Sequence, residues 1–140
     1  MSEVLLAIST FPDRATATRI AEQLVSERLA ACANIGADVQ SIYRWKGKIE
    51  HAQETLVFFK TTQLRYGEFE EKLKALHPYD VPEIICSSVT AGLPAYLDWC
   101  GKIVRIQFRF NAVASGPELR RLQPYGSLWF SGGGTVRNSR

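Results

Sequence analysis

The chain has 140 residues, 46% of them hydrophobic and 22% charged, which is the size and composition of one globular domain. No apolar run approaches the roughly 18–20 residues that cross a membrane, and the N-terminus lacks the basic segment and cleavage site of a secretion signal. The three cysteines show no CxxC spacing, which disfavours zinc fingers and disulfide frameworks and predicts reduced thiols in the cytoplasm.

Charge divides the chain into two parts. Residues 1–100 carry ten Lys and Arg against thirteen Asp and Glu, whereas residues 101–140 carry seven basic residues and only Glu118 as an acid. We therefore place one domain at 1–101 and treat 102–140 as a basic tail, which is disordered or was added by cloning or by a shifted reading frame. The alternative is a genuine tail for an acidic partner. The mildly acidic body predicts that nucleic acid is not a partner, and the lack of a membrane-length apolar run predicts that a membrane is not one either.

In chain order, the predicted elements begin with an apolar run at 4–9, which is typical of a strand covered on both faces. Helical spacing of apolar residues then predicts an amphipathic helix from about 15 to 31. Residues 33–45 alternate, with mostly apolar or aromatic side chains at the odd positions, which indicates a half-buried strand.

The second half of the domain continues this order. A return strand at about 49–61 completes a hairpin, a helix follows at about 64–76, and an apolar strand is predicted at 81–89. Pro94 opens a short terminal helix. The order βαββαβ, with two crossovers and a central hairpin, predicts an α+β, ferredoxin-like sandwich with a long central hairpin and a short C-terminal helix.

The central hairpin is long for a domain of this size. With Lys46-Gly47 as its turn, each arm has about 12 residues and reaches roughly 40 Å, against a radius of gyration of about 13 Å for 100 residues. The arms should project beyond the body and expose backbone edges together with Tyr43, Trp45 and Ile49. We expect a homo-oligomer to cover these edges; the alternative is a bulge that breaks the strand and folds it back.

Four segments in this order resemble the CutA family of divalent-cation tolerance proteins. They are ERLAACANI at 27–35, SIYRWKGKIE at 41–50 followed by KTT at 60–62, HPYDVPEI at 77–84, and AYLDW at 95–99. The resemblance implies a ferredoxin-like fold and a tight homotrimer whose long hairpins pair between subunits. It also implies an architecture similar to that of PII signalling proteins, copper binding, and no established enzymatic activity.

The resemblance suggests a metal site for Cu²⁺ or another divalent cation, which folding would not require. The candidate ligands are His77, Cys32 and Glu83, since imidazole and thiolate suit copper. The alternatives are a histidine that bonds the last carbonyls of a helix and a cysteine that acts as a small buried hydrophobe. Copper-binding members have a cysteine where this chain has Ser9 and a histidine where it has Leu76, which weakens the expectation of a tight copper site.

The other two cysteines carry structural expectations only. Cys86 stands in the middle of an apolar strand and is expected to be a small buried hydrophobe. Cys100 is expected to be exposed near the tail.

Aromatic and charged residues crowd the hairpin tip and the segment before the last strand. They are predicted either to line a cleft between subunits that holds a small anion or a metal complex, or to lock the trimer as aromatic anchors and ion pairs. These residues are Tyr43, Arg44, Trp45, Lys46, Lys60, Tyr79, Asp80 and Glu83.

Three classes of function compete. The first is a trimeric metal-binding protein in metal homeostasis, and the second is a PII-like signalling or assembly trimer whose metal binding is incidental. The third is an enzyme such as an acylphosphatase, but the segment 9–14 offers Arg14 without the glycines of an anion loop. The chain also lacks a phosphate loop, a dinucleotide fingerprint and a nucleophile elbow, so we predict that it is not an enzyme.

Overall fold

The computed structural model describes residues 3–105, in which four strands and three helices follow the predicted order. The α+β class and the order βαββαβ plus a terminal helix are therefore confirmed. The elements are β1 (Val4–Phe11), α1 (Arg14–Ser26), β2 (Cys32–Trp45), β3 (Lys48–Thr62), α2 (Gln63–Leu76), β4 (Ile84–Ser88) and α3 (Pro94–Ile103).

The four strands form one antiparallel sheet in the order β2-β3-β1-β4. Helices α1 and α2 pack on one face, where Phe59 of β3 and Phe69 of α2 meet edge to face with ring centroids 5.2 Å apart. This face holds the main hydrophobic core. The buried members of that core are Ala7, Phe11, Ala17, Ile20, Ala21, Leu24, Leu29, Ala30, Val57, Phe59, Phe69 and Leu73.

Within the single chain the opposite face of the sheet is only partly covered, so coverage of β1 on both faces stays a prediction that depends on assembly. Helix α3 packs against one end of this face, around Val4. The remaining apolar side chains, which we call the open face, are half-buried or exposed. The open face consists of Leu6, Ile8, Leu56, Phe58 and Ile85.

Helix α1 ends at Ser26 and not at about 31 as predicted. Arg28 adopts the left-handed conformation with a φ of 59°, and the N–H of Leu29 donates to the carbonyl of Leu24. This turn carries Leu29 and Ala30 into the core, where both are at least 95% buried. Tertiary packing therefore overrides the helical periodicity of the segment.

A β-bulge divides strand β2. Ile35 pairs with Val57 but Asp38 pairs with Thr55, so Gly36 and Ala37 together oppose a single residue of β3. One extra residue reverses the faces of every side chain that follows it. The predicted single alternation over 33–45 is therefore wrong: the odd positions face the helices before the bulge and the opposite side after it.

The hairpin continues beyond the bulge and extends past the rest of the sheet. Residues 55–62 of β3 pair with β1, whereas residues 48–54 pair with β2 alone. Lys46 and Gly47 form the turn with φ values of 49° and 77°, as a two-residue hairpin loop requires. The exposed apolar side chains of the hairpin are Ile42 (62% exposed), Tyr43 (44%), Trp45 (49%) and Ile49 (54%).

Strand β4 and helix α3 correct the expectations for two cysteines. Strand β4 covers Ile84–Ser88 and not 81–89, and it forms an edge of the sheet. Cys86 is exposed there, on a strand that has a neighbouring strand on one side only. Cys100 is fully buried, because α3 packs it against Val4 and Ala31.

Helix α3 continues slightly past 101, and the buried Val104 follows it. The rest of the predicted basic tail lies outside the described residues. Within 3–105, no helix is both long and apolar enough to cross a membrane.

Candidate functional site

One cavity brings together most of the residues that the sequence placed near a cleft. It lies between the hairpin and the loop that joins α2 to β4, and its volume is about 630 Å³. We call it the hairpin cavity. Its lining has three carboxylates (Glu54, Asp80 and Glu83), three aromatic side chains (Tyr43, Trp45 and Tyr79) and four further residues (Thr10, Ser41, Ile42 and Val81).

The bulge in β2 directs side chains of the hairpin into this cavity. After the reversal of faces, Tyr43 lies opposite Glu50 of β3, which is on the same face as Glu54 four residues later. Trp45 shares that face with Tyr43 because side chains alternate along a strand. A strand without the bulge would direct these two aromatic side chains away from Glu54.

His77 fixes the loop side of the cavity. It caps the C-terminus of α2, and its ring stacks on Phe11 with centroids 4.8 Å apart. Nδ1 accepts a hydrogen bond from the backbone N–H of Tyr79 at 3.2 Å, so Nε2 carries the proton and donates to the carbonyl of Thr10 at 2.8 Å. The imidazole thus ties the loop to the end of β1, and both of its nitrogens are occupied.

Burial lowers the pKa of His77 below its ordinary value of 6.5. The hydrogen bond to Thr10 and the negative charge of Glu54 raise the pKa, but they only partly offset the cost of desolvating an imidazolium. At neutral pH the ring is therefore the neutral tautomer that the two backbone bonds require.

Tyr79 connects the loop to Glu54 across the cavity wall. Its hydroxyl donates to Oε2 of Glu54 at 3.0 Å. Burial, followed by this hydrogen bond, raises the pKa of Tyr79 to about 12, so the phenol remains a donor at any physiological pH. Glu54 itself is only 8% exposed, and within 3–105 it forms no ion pair.

The lining fits a cation and not an anion. Three carboxylates border the cavity, and no Lys, Arg or His side chain in the described part of the chain is among the lining residues. A buried carboxylate without a cationic partner favours any positive charge that can reach it. Carboxylate oxygens are ligands that divalent cations bind in proteins.

The carboxylates are not arranged as a closed metal site. Among residues 3–105, no group of three or more His, Cys, Asp or Glu side chains has a spacing that would hold a metal ion. A divalent cation in the hairpin cavity would therefore keep part of its hydration shell and contact one or two carboxylates directly, as Mg²⁺ commonly does in proteins.

The predicted metal ligands lie in different places. Glu83 lines the hairpin cavity, and His77 lies behind its wall. Cys32 pairs with Lys60 of β3, which pairs with Leu6 of β1, so it lies about four residues, or roughly 13 Å, along β1 from the Thr10 that His77 contacts. Within one chain, Cys32 and His77 therefore belong to different sites.

The basic residues predicted for the cleft also lie apart from the cavity. Arg44 and Lys46 are exposed on the hairpin and do not line the cavity. Lys60 donates to Oδ1 of Asn34 at the other end of the sheet. Of the cleft residues predicted from the sequence, Tyr43, Trp45, Tyr79, Asp80 and Glu83 meet in the cavity.

Cys32 contacts a tyrosine side chain and not the other two proposed metal ligands. Its Sγ lies 3.4 Å from the hydroxyl of Tyr96 on α3. Burial raises the pKa of the nearby Cys100 thiol to about 11, so this thiol is protonated and unreactive at neutral pH.

Glu54 is the charged residue of the cavity that the sequence analysis missed. A signal was available, because an acidic residue within a buried return strand carries a desolvation cost that predicts a partner or a ligand. Its hydrogen bond to Tyr79 joins residues 25 positions apart, and neither periodicity nor spacing reveals such a contact.

Comparison with known proteins finds one matching family and several relatives. The family model described as CutA1 divalent ion tolerance protein matches residues 5–102. A Thermus thermophilus protein named divalent-cation tolerance protein CutA is 48% identical over 99 residues, covering 71% of this chain and 94% of that protein. An Arabidopsis thaliana protein named CutA, chloroplastic, is 40% identical over 90 residues, covering 64% of this chain and 50% of that protein. The crystal structure of CutA from Xylella fastidiosa is 44% identical, has a TM-score of 0.72, and covers 74% of this chain and 99% of that one.

Proposed function

Because this chain belongs to the CutA1 family of divalent ion tolerance proteins, we propose that it is a cation-binding protein and that the hairpin cavity holds the cation. The observation that carries the proposal is Glu54, a carboxylate that is 8% exposed, borders the cavity and has no cationic partner within 3–105. Asp80 and Glu83 add two further negative charges to the same lining. The proposed role is binding and not catalysis.

Copper remains the proposed metal, with Glu83 kept from the expected ligands and Glu54 in place of His77 and Cys32. A given set of oxygen donors binds Cu²⁺ more tightly than the earlier first-row divalent ions and Zn²⁺. Glu54 and Glu83 would hold a partly hydrated ion, while His77 positions the loop through its two backbone bonds. Without an imidazole or thiolate ligand, binding is weaker than a Kd of about 1 μM, or about −8 kcal/mol.

Titration calorimetry with Cu²⁺ tests this proposal. The exposed His51 is first replaced by Gln, so that a free imidazole on the hairpin does not contribute. In that background Glu54→Gln keeps an acceptor for the Tyr79 hydroxyl but removes the charge, and it should weaken copper binding at least fivefold. Glu22→Gln, an exposed change on α1, is the matched control and should leave binding unchanged. Equal affinities of the Glu54→Gln variant and the control would refute the assignment.

The proposed assembly is a homotrimer with PII-like architecture. The open face and the exposed apolar side chains of the hairpin support it, since monomers rarely leave such surfaces uncovered. Light scattering should give three times the 15.7 kDa of one chain. Ile85→Glu, on the open face, should lower that mass, whereas Leu64→Glu, on the exposed side of α2, should not. A wild-type monomer would contradict the assembly.

A signalling or assembly trimer with incidental metal binding is the second candidate. The observation that favours it is that both nitrogens of His77 are occupied and that Cys32 lies at the other end of β1. Under this alternative, loss of copper binding in Glu54→Gln leaves binding to a partner protein intact. Metal homeostasis predicts instead that cells carrying Glu54→Gln lose tolerance to copper.

The proposed location is the cytoplasm. Cys32, Cys86 and Cys100 are free thiols, which a reducing compartment maintains. The name of the Arabidopsis relative assigns that protein to the chloroplast, so a cytoplasmic location does not hold for every relative. Cell fractionation with an antibody to the chain tests the location directly.

A further inference from the structure

Two of the three cysteines meet at one tyrosine side chain, at the end of the sheet away from the hairpin cavity. Sγ of Cys32 lies 3.4 Å from the hydroxyl of Tyr96. Cys100 stands one helical turn after Tyr96 on α3, so both side chains lie on the same face of that helix. Cys100 is fully buried against Ala31, the residue that precedes Cys32. Contacts within one chain therefore hold the two thiols close together.

We propose that Cys32 and Cys100 are a redox pair, in which hydrogen peroxide oxidises Cys32 and Cys100 then forms a disulfide with it. Cys32 is half-buried, whereas Cys100 has no exposed surface, so an oxidant from solution reaches Cys32 first. This inference does not rest on the proposed cation site. Neither thiol belongs to the open face or to the hairpin surface that the proposed trimer would cover.

The surroundings of Cys32 suit a thiol that reacts with peroxide. Lys60 lies directly opposite Cys32 in the sheet, so both side chains emerge on the same face. Burial and the neighbouring Cys32 thiol raise the pKa of Cys100 to about 11, while the Tyr96 hydroxyl and the Lys60 ammonium oppose that rise. The phenol and the ammonium group are thus close enough to act on the pair. Reactive cysteines in proteins are typically partly exposed and lie beside such a cation.

The reaction has two steps, and peroxide is the only reagent consumed. The Cys32 sulfur attacks one oxygen of hydrogen peroxide, the O–O bond breaks, and the other oxygen leaves with the thiol proton as water. The resulting sulfenic acid then reacts with Cys100. The S–S bond forms, the S–O bond breaks, and the hydroxyl group leaves with the Cys100 proton as a second water. The two sulfurs together lose the two electrons that peroxide gains.

The position of Cys100 compensates for its low reactivity. As a buried, protonated thiol it does not react with reagents in solution. Beside the sulfenic acid of Cys32 it takes part in an intramolecular step, which proximity accelerates. In a reducing compartment the disulfide would be transient and would form only during exposure to an oxidant.

The disulfide would tie α3 to the start of β2. These two elements lie far apart in the chain, so the cross-link closes a long loop and restricts the unfolded chain. The oxidised protein should therefore unfold at a higher urea concentration than the reduced protein.

Peroxide treatment of the full-length Cys86→Ser protein tests the inference, because the exposed Cys86 would otherwise form disulfides between chains. A chelator prevents trace metals from catalysing the oxidation. Mass spectrometry should show the loss of two hydrogen atoms per chain, and a digest without reductant should yield the peptides of Cys32 and Cys100 joined together. Dithiothreitol should reverse both changes. A chain that keeps both thiols, or that gains oxygen atoms without this cross-link, would overturn the inference.

Two variants in the Cys86→Ser background assign the roles of the thiols. Cys100→Ser should stop at the sulfenic acid of Cys32, so dimedone should trap at least tenfold more adduct than in the Cys86→Ser parent. Cys32→Ser is the matched control and should give neither adduct nor disulfide, because its remaining thiol is buried. Equal trapping in Cys100→Ser and the parent would show that Cys100 does not resolve the sulfenic acid, and the inference fails. The digest of the parent protein remains decisive if a variant misfolds.

Discussion

His77 shows how a single residue can matter to a site without touching a ligand. Its imidazole is 7% exposed, stacks on Phe11, and joins the carbonyl of Thr10 to the N–H of Tyr79. Removing the ring would leave two backbone groups without partners, which costs about 1–3 kcal/mol each when they stay buried. We therefore treat His77 as a positioning residue for the loop that carries Tyr79, Asp80 and Glu83.

The lowered pKa of His77 makes stability depend on pH. Above about pH 6.5 the imidazole is neutral in both the folded and the unfolded chain. As the pH falls below 6.5, the unfolded chain binds the proton first, so the free energy of unfolding decreases until the pH reaches the lowered pKa of the folded state. Urea titrations between pH 7 and pH 5 should show this decrease in the wild type and a flatter dependence in His77→Gln.

The other histidine provides the control for this prediction. His51 is exposed on the hairpin, and His51→Gln should keep the pH dependence of the wild type. If His77→Gln and the wild type lose stability in parallel from pH 7 to pH 5, the neutral buried imidazole is not responsible.

For single residues, the sequence predicts which side chains are candidates for a site better than it predicts which of them are in contact. Tyr43, Trp45, Tyr79, Asp80 and Glu83 were recognised as a possible cleft and do share a cavity. Glu54 and the full burial of Cys100 were missed, because both depend on packing between segments that are distant in the chain. The same spacing rules cannot show that the nitrogens of His77 are already occupied.

At the scale of elements, the bulge in β2 has the largest consequence. The sequence predicted the strand and its length from alternation, and Gly36 within the run was the available sign of an interruption. A Cβ at position 36 would lie 3.1 Å from the carbonyl oxygen of Leu56, and the Gly36 carbonyl accepts from Nη2 of Arg14 at 2.7 Å. Glycine is therefore needed where the two backbones approach closely.

Two glycine substitutions should have opposite effects on stability. Gly36→Ala pushes against backbone and should lower the free energy of unfolding by about 1–2 kcal/mol. Gly67→Ala, within α2 with open space around the added methyl group, should raise it by about 0.5–1 kcal/mol. Urea midpoints at one fixed protein concentration measure both changes. A Gly36→Ala variant as stable as Gly67→Ala would show that the bulge tolerates a side chain.

The end of α1 illustrates why helix boundaries resist prediction from sequence. Neither glycine nor proline marks the stop, and the left-handed residue is Arg28. The backbone accepts this conformation because it directs Leu29 and Ala30 into the core. The periodicity of the segment therefore continues after the helix has ended.

For the molecule as a whole, the fold was predictable because local patterns of apolar and polar residues indicate the order of strands and helices. The antiparallel order β2-β3-β1-β4 follows from two crossovers and one hairpin. The assembly and the ligand cannot be predicted in this way, because they depend on surface side chains that meet another chain or a ligand. The structure of one chain shows only which of these side chains are exposed. The open face and the extended hairpin are the surfaces that the proposed trimer would bury.

We predict that carboxylates of the hairpin cavity, and not His77, hold the cation. Electron paramagnetic resonance of Cu²⁺ bound to the full-length His51→Gln protein tests it most directly, because coupling to imidazole nitrogen is visible in the spectrum. We predict a spectrum of oxygen ligands that is lost in Glu54→Gln and retained in His77→Gln. Nitrogen coupling that disappears in His77→Gln would contradict the account and would make the histidine the ligand.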